Sequence, residues 1–350
     1  MVKWIPVIVC FLFLTNASAQ RTFHSFINFA SACCDHTGGG HQTGTTIEIK
    51  QVMFEKPPHH QTYAPAAEET GAQEETLQYQ QELSRNIWVK PGFTMAEKPA
   101  GSTANDNVHI VDTAFYMPQL NRYRRIWIYL PPTYAKSRKK YPVLYMQDGQ
   151  NLFDKATSFS GEWGVDEAID TLGPKFGEMI VVGIDNGKEH RMSEYAPVDT
   201  EHGKAEGDAY IDFIVQTLQP FINKHYRTRK CRKHNFIAGS SMGGLISYYA
   251  LLKYPKKFGG AGIFSPSFWI APALLEVDPQ KAKQIKGKLY FFAGMQESER
   301  MVPDMLRVFE QVKRYSKAEM TTVIRAEGKH SEATWREEFP LFYEWLWKGK

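Results

Sequence analysis

The spacing of apolar residues changes along the chain, and the changes mark the elements. Across residues 20–106 no apolar period holds. That stretch carries Gly38-Gly39-Gly40, Pro57-Pro58-His59-His60 and an acidic, Gln-containing run over 68–82. Such composition buries too little apolar surface to offset chain entropy, so 20–106 is expected to form a disordered or loosely attached arm, with room for a short helix over 74–88. Regular patterning begins near Val108. Residues 108–113 alternate as a strand, and 123–130 form a second that ends at Pro131-Pro132. Continuous apolar runs at 142–146 and 179–184 suit strands buried on both faces. Further strands are expected at 235–238, 260–264, 288–293 and 320–325. Between them, 162–172, 245–252, 301–315 and 334–347 read as helices. The segment 208–226 is amphipathic, with Tyr210, Phe213, Ile214, Leu218, Phe221 and Ile222 on one broad face. Strands alternating with helices over 107–350 predict an α/β domain, a mostly parallel central sheet with helices on both faces. No internal repeat is present.

Composition sets the limits of this picture. A chain of 350 residues, 43% of them hydrophobic and 13% aromatic, can build one substantial core or two small ones. The formal net charge of +4 is mild and gives no reason to expect nucleic acid as a partner. The densest basic run, Arg227-Thr228-Arg229-Lys230-Cys231-Arg232-Lys233, precedes a strand and reads as a solvated loop.

The N-terminus has the pattern of a secretory signal. Lys3 is followed by an apolar stretch from Ile5 to Leu14, then by the small-residue cleavage site Ala17-Ser18-Ala19. Residues 1–19 are therefore expected to be removed and the protein exported to a periplasm or the medium. An uncleaved anchor is the alternative. No later stretch approaches the roughly 20 apolar residues of a membrane span. Cys10, Cys33, Cys34 and Cys231 give no disulfide framework. Cys33, Cys34, Asp35, His36 and His41 match no standard zinc spacing, and no metal or cofactor is expected.

The chemistry concentrates at Gly239-Ser240-Ser241-Met242-Gly243-Gly244. A strand, a G-x-S-x-G turn and a helix make the nucleophile elbow of an α/β-hydrolase, with Ser241 at its apex. Glycines flank the serine because so sharp a turn crowds backbone against backbone. Neither G-x-x-x-x-G-K-[ST] nor G-x-G-x-x-G fits these residues, which excludes a phosphate cradle. A serine hydroxyl needs a base, and the base needs an orienting group. In this fold the order along the chain is Ser, acid, His. His330 is the one histidine after Ser241, and it lies between the last strand and the last helix. The acid should follow strand 288–293, where Glu297 stands nearest the strand end and Glu299 and Asp304 are alternatives. A Ser–His dyad without an acid is also open. Two N–H groups must meet the oxyanion: one from Met242, the other from the loop Asp148-Gly149-Gln150-Asn151-Leu152, with Gln150 favoured. A purely structural turn built by Asp148 and Gly149 is an equal reading of that loop.

These segments, in this order, resemble the esterase D-like family of α/β-hydrolases, whose relatives include enterobactin-type siderophore esterases, feruloyl esterase domains and S-formylglutathione hydrolase. The resemblance rests on Tyr129-Leu130-Pro131-Pro132, on 141–151 from Tyr141 to Asn151, on Val182-Gly183-Ile184-Asp185, Glu194-Tyr195 and Tyr226-Arg227-Thr228, and on Gly239 to Gly244 and Gly328-Lys329-His330. It covers the chain from about Val108 onward. The resemblance implies an α/β-hydrolase fold, no metal requirement and an acid at the Gly-x-x-[Asp/Glu] position, which falls on Glu297. It also aligns Trp163 with an aromatic that looks toward the site in similar proteins; plain core packing is the other reading. Arg191 is a candidate for binding a polar or anionic substrate group, against an ion pair with Glu194 or another local carboxylate. The function expected is hydrolysis of a small-molecule or oligosaccharide ester by an exported serine esterase. An acyltransferase on the same scaffold and a non-catalytic binding module are the rivals. Plant-wall acyl esters and siderophore lactones both stay open as substrates, and nothing in the sequence sets the oligomeric state.

Overall fold

The structure is a computed structural model, and it describes residues 95–348 apart from residue 202. The expected signal, the Cys33–Cys34 group and the arm up to residue 94 lie outside the described residues. Among the described residues, eight strands form one sheet: β1 (Val108–Met117), β2 (Arg122–Tyr129), β3 (Val143–Gln147), β4 (Ile180–Ile184), β5 (Asn235–Ser240), β6 (Gly260–Phe264), β7 (Lys288–Gly294) and β8 (Glu319–Arg325). Their spatial order is β1-β2-β4-β3-β5-β6-β7-β8. The β1–β2 and β2–β4 pairings are antiparallel, and every later pairing is parallel.

The continuous apolar runs have the meaning expected of them. Each residue of β3, β4, β5 and β6 is buried, because helices cover both faces of the sheet. Successive side chains point to opposite faces. Thus Val143, Tyr145, Ile180, Val182 and Ile237 enter one core cluster, while Leu144, Met146, Val181, Phe236 and Ala238 enter the other. Helices α1 (Val165–Phe176) and α5 (Glu332–Trp347) pack on the second cluster. The helical segment α2 (residues 207–225), α3 (Met242–Lys253) and α4 (Met301–Tyr315) pack on the first.

Where the observed ends differ from the expected ones, local chemistry explains them. Helix α5 starts two residues earlier than expected because Ser331 caps it, its hydroxyl accepting from Thr334 N. Helix α1 starts three residues later, since Gly161 (φ 115°) and Gly164 (φ 61°) hold the preceding turn in left-handed conformations. Helix α2 contains a π-helical stretch, Ile214–Leu218, that ends two residues before Pro220. Proline has no N–H to give to the preceding turn and its ring crowds that turn's carbonyl, so the coil widens there.

Residues 95–106 correct the expected boundary of the arm. They are fixed to the domain rather than loosely attached. Ala96 N donates to Ile110 O at 3.1 Å, Ser102 Oγ to Asp154 Oδ2 at 2.7 Å, and Asn105 N to Asp166 Oδ2 at 3.0 Å. Two of these bonds go to buried carboxylates, Met95, Ala96 and Ala104 add apolar contact, and no apolar period marks the segment. Among the described residues no helix is long and apolar enough to cross a membrane.

Candidate active site

The loops that leave β3 to β8 at their carboxyl ends gather over the middle of the sheet, the place where open α/β sheets bind ligands. Between them lies a cavity of about 870 Å³ lined by Ser241, His330, Gln150, Trp163 and Arg191, together with Phe159, Lys188, Asn151, Glu332 and Trp335. That volume suits a small molecule or part of an oligosaccharide.

Ser241 joins β5 to α3 with φ 59° and ψ −124°, a conformation that residues bearing a Cβ rarely adopt. The surroundings enforce it. Ser241 N donates to Phe264 O at 2.9 Å, and its carbonyl accepts from Leu245 N at 3.0 Å and Ser267 N at 3.1 Å. The turn closes this tightly because Gly244 has no side chain: a Cβ there would stand 2.7 Å from Phe264 O. Gly244→Ala is expected to destabilise the fold by about 1–3 kcal/mol, the usual range for overpacking. A lower urea midpoint at unchanged m-value would register it.

Met242 opens α3 and is buried beneath Ser241. Its N–H belongs to the first turn of a helix, where amide groups have no intrahelical acceptor. The other loop expected to hold an oxyanion donor forms a single 3₁₀ turn, Gly149–Asn151, after Asp148 in a left-handed conformation (φ 54°, ψ 49°). Gln150 lines the cavity. Its side-chain carbonyl accepts from Asn186 N at 3.0 Å, and its main-chain carbonyl accepts from Thr157 Oγ1 at 2.9 Å. Asp148 and Gly149 build the turn, as one reading of this loop expected, and Gln150 stands in that turn at the cavity wall.

Glu297 and His330 come from neighbouring loops whose backbones touch. Gln296 N donates to Gly328 O at 2.9 Å, and a Cβ on Gly294 would lie 2.2 Å from Gly328 O, so only glycine lets the two loops approach. His330 Nδ1 then lies 2.6 Å from Glu297 Oε2. Glu297 Oε1 accepts from Ser265 Oγ at 2.7 Å and from Gly294 N at 2.6 Å. The carboxylate is 1% exposed and the imidazole 35% exposed. Of the three acids considered, Glu297 is the one hydrogen-bonded to His330. Glu299 shares a surface pocket with Glu297 and His330, and Asp304 pairs with Arg300 at 3.2 Å. Trp335 meets the His330 ring edge-to-face at 5.0 Å and Trp269 lies at 6.5 Å, fixing the imidazole from two sides. The Ser241 hydroxyl is 3.1 Å from Ser267 Oγ, its hydrogen-bond partner in this structure.

Trp163 is packed in the core and also borders the cavity. It is 3% exposed, packed on Phe264, Trp335 and Phe339, and its remaining surface lines the cavity. Arg191 reaches the cavity wall, but its guanidinium is engaged by a local carboxylate, and that carboxylate is Asp148, not Glu194. Glu194 instead pairs with Arg122 and Arg124. Burial holds the Glu332 carboxyl above its ordinary range, and Asn151 Nδ2 donates to it at 3.2 Å.

Ser265, Ser267, Glu332 and Trp335 were not legible as site residues. Ser265 and Ser267 follow β6 directly, and the carboxyl-end rule applied to that strand would have found them. Among the described residues, Glu162, Asp166 and Glu167 are the only cluster of three or more potential metal ligands, and none of them lines the cavity.

Comparison with known proteins bears on the family and the fold. The chain is 26% identical over 241 residues to the uncharacterized protein YbbA of Bacillus subtilis, covering 64% of this chain and 92% of YbbA. It is 25% identical over 238 residues to an endo-1,4-beta-xylanase/feruloyl esterase of Xylanibacter ruminicola, covering 65% of this chain but only 29% of that longer protein. Among solved structures, a ferulic acid esterase superposes with a TM-score of 0.52 at 18% identity, covering 69% of this chain and 99% of the other, which shows the α/β-hydrolase fold. The family model described as "Putative esterase" matches residues 118–344. The chain belongs to this family and is a carboxylic ester hydrolase.

Proposed function

We propose that the protein is an exported serine esterase that cleaves carboxylic esters of small molecules or oligosaccharides through an acyl-enzyme on Ser241. The observation that carries this reading is the Glu297–His330 pair. A buried carboxylate engages Nδ1, so that nitrogen holds the proton and Nε2 is left as the acceptor. The ring lines the same cavity as Ser241.

In the reaction the Ser241 hydroxyl turns from Ser267 to His330 Nε2, gives up its proton there and bonds to the ester carbonyl carbon. The carbonyl oxygen takes the negative charge, and the Met242 and Gln150 N–H groups donate to it. The C–O bond to the alcohol breaks, and the alcohol leaves with the proton from His330. Water then enters, His330 takes one of its protons, and the hydroxide adds to the acyl carbon. Collapse releases the carboxylic acid and returns the proton to Ser241 Oγ. Trp163 and Phe159 give the cavity aromatic surface against which a ring-bearing acyl group or a sugar can lie. Export rests on the N-terminal pattern of Lys3, the apolar stretch and Ala17-Ser18-Ala19.

A fluorophosphonate probe tests the reading directly. The wild-type protein is expected to take up one equivalent, and peptide mass mapping is expected to find it on Ser241. Absence of labelling, or an adduct elsewhere, would remove Ser241 from the mechanism. Product analysis with added acceptor sugars separates hydrolysis from acyl transfer.

A further inference from the structure

One two-pronged charged contact in the cavity wall has no role in the reaction as described. Arg191 Nε donates to Asp148 Oδ1 at 2.7 Å and Arg191 Nη2 to Asp148 Oδ2 at 2.9 Å, a two-pronged pair whose side chains are 25% and 10% exposed. Asn186 Nδ2 donates to the same Oδ1 at 2.8 Å. The Tyr195 hydroxyl accepts from Asp148 N at 3.3 Å, and the Arg191 guanidinium stacks over the Tyr195 ring at 5.1 Å. Asp148 is thereby fixed on every side in a left-handed conformation that a residue with a Cβ adopts only under constraint. Asn186 extends the same frame one step further, its N–H meeting the Gln150 side chain.

Position makes this network more than a brace. Asp148 is the residue before the turn that presents Gln150. Its carboxylate also borders the elbow helix, since a Cβ on Gly243 would stand 3.1 Å from Asp148 Oδ2. A carboxylate there, if left unpaired, would put negative charge beside the amides that must receive a developing oxyanion, and would compete for their field. Arg191 cancels that charge without touching the reacting atoms. Burial works against the guanidinium, yet Asp148 outweighs it and holds the arginine above its ordinary pKa, so the guanidinium keeps its charge.

We infer that Arg191 is a positioning residue for the oxyanion hole, which, through its two-pronged bond to Asp148, sets the Gln150 turn and neutralises the carboxylate beside the elbow. This deepens the esterase reading and rests on it. It replaces the expectation that Arg191 binds the substrate. Loss of the pair should therefore weaken transition-state stabilisation while leaving ground-state binding alone, a fall in kcat at constant KM.

The test is steady-state hydrolysis of one neutral ester, p-nitrophenyl acetate, by wild type, Arg191→Met and Arg191→Lys, with and without ethylguanidinium. For Arg191→Met, kcat is expected to fall about 100-fold, the scale of losing one oxyanion donor, with KM within threefold of wild type. Millimolar ethylguanidinium is expected to restore at least a tenfold part of the loss; a role in stability alone would give no such rescue. Arg191→Lys keeps the charge and loses the fork, so it should lie between the two. It also keeps the question answerable if the Met variant does not fold. Unchanged kcat in a folded variant, or a rise in KM alone, would overturn the inference and return Arg191 to substrate binding. Fluorophosphonate labelling of the wild type in parallel keeps the two readings apart. An unlabelled Ser241 sinks the esterase mechanism itself, whereas a labelled Ser241 with an indifferent Arg191 sinks only the positioning role.

Discussion

Ser241→Ala is expected to lower kcat/KM for p-nitrophenyl acetate by about 10⁴–10⁶-fold, the scale found when a serine nucleophile is removed from a triad that works as a unit. The fold should survive. Alanine keeps the Cβ that Ser241 already carries at φ 59°, so no new strain enters the elbow. The one hydrogen bond lost is that to Ser267 Oγ, and a typical net worth of about 1 kcal/mol sets the limit on destabilisation. Unchanged circular dichroism together with lost turnover is thus the expected result. Adding His330→Ala to Ser241→Ala should cost almost nothing further, since the base has no proton left to take. Two other hydroxyls stand close enough to confuse the assignment: Ser240 lines the same cavity and Ser267 faces Ser241. If the Ser241→Ala protein still hydrolyses the ester at the wild-type rate, one of those two is the nucleophile or the reaction proceeds without one.

How far the sequence led depended on the kind of signal each residue sends. The strands that hold the site were legible because they are buried on both faces: the five residues of β6 were expected at 260–264 and are found there. The elbow was legible because its glycines are a steric necessity visible as letters. His330 followed by scarcity and Glu297 by its distance from a strand end. What escaped were polar contacts between residues far apart in the chain. Ser102 meets Asp154, Asn105 meets Asp166, and Arg191 meets Asp148, and none of these pairs has a period or a spacing that marks it. Arg191 shows the limit well. The candidate partner nearest in sequence was Glu194, three residues on, but the short helix Arg191–Glu194 sends Glu194 into the core toward Arg122 and Arg124 while Arg191 turns to the site. The tryptophans flanking His330 escaped for a related reason. Trp335 has the helical spacing of an ordinary core residue, and only its place one turn into α5 brings it against the imidazole.

Glu297→Gln is the second large effect, expected at about 10³–10⁴-fold in kcat, some 4–5.5 kcal/mol of barrier. The argument turns on which way the new amide must face. Glu297 uses both carboxylate oxygens: Oε1 receives Gly294 N at 2.6 Å and Ser265 Oγ at 2.7 Å, and Oε2 faces His330 Nδ1. The Gly294 N–H is fixed by the backbone and can only donate, so the glutamine carbonyl is drawn to it. The NH₂ group is then left pointing at His330 Nδ1, which must become an acceptor. The proton moves to Nε2, and the nitrogen that should take the Ser241 proton already holds one. The damage is to the tautomer, not the fold, so the variant should melt near the wild-type temperature and still present Ser241 at the elbow. Glu299→Gln and Asp304→Asn are the matched controls, expected within about threefold of wild type because the His330 Nδ1 bond is made to Glu297, and Asp304 pairs with Arg300. A Glu297→Gln protein that keeps more than a tenth of wild-type kcat would mean that His330 chooses its tautomer without help. The site would then be a Ser–His dyad, and the 2.6 Å contact between carboxylate and ring only a structural tie between two loops.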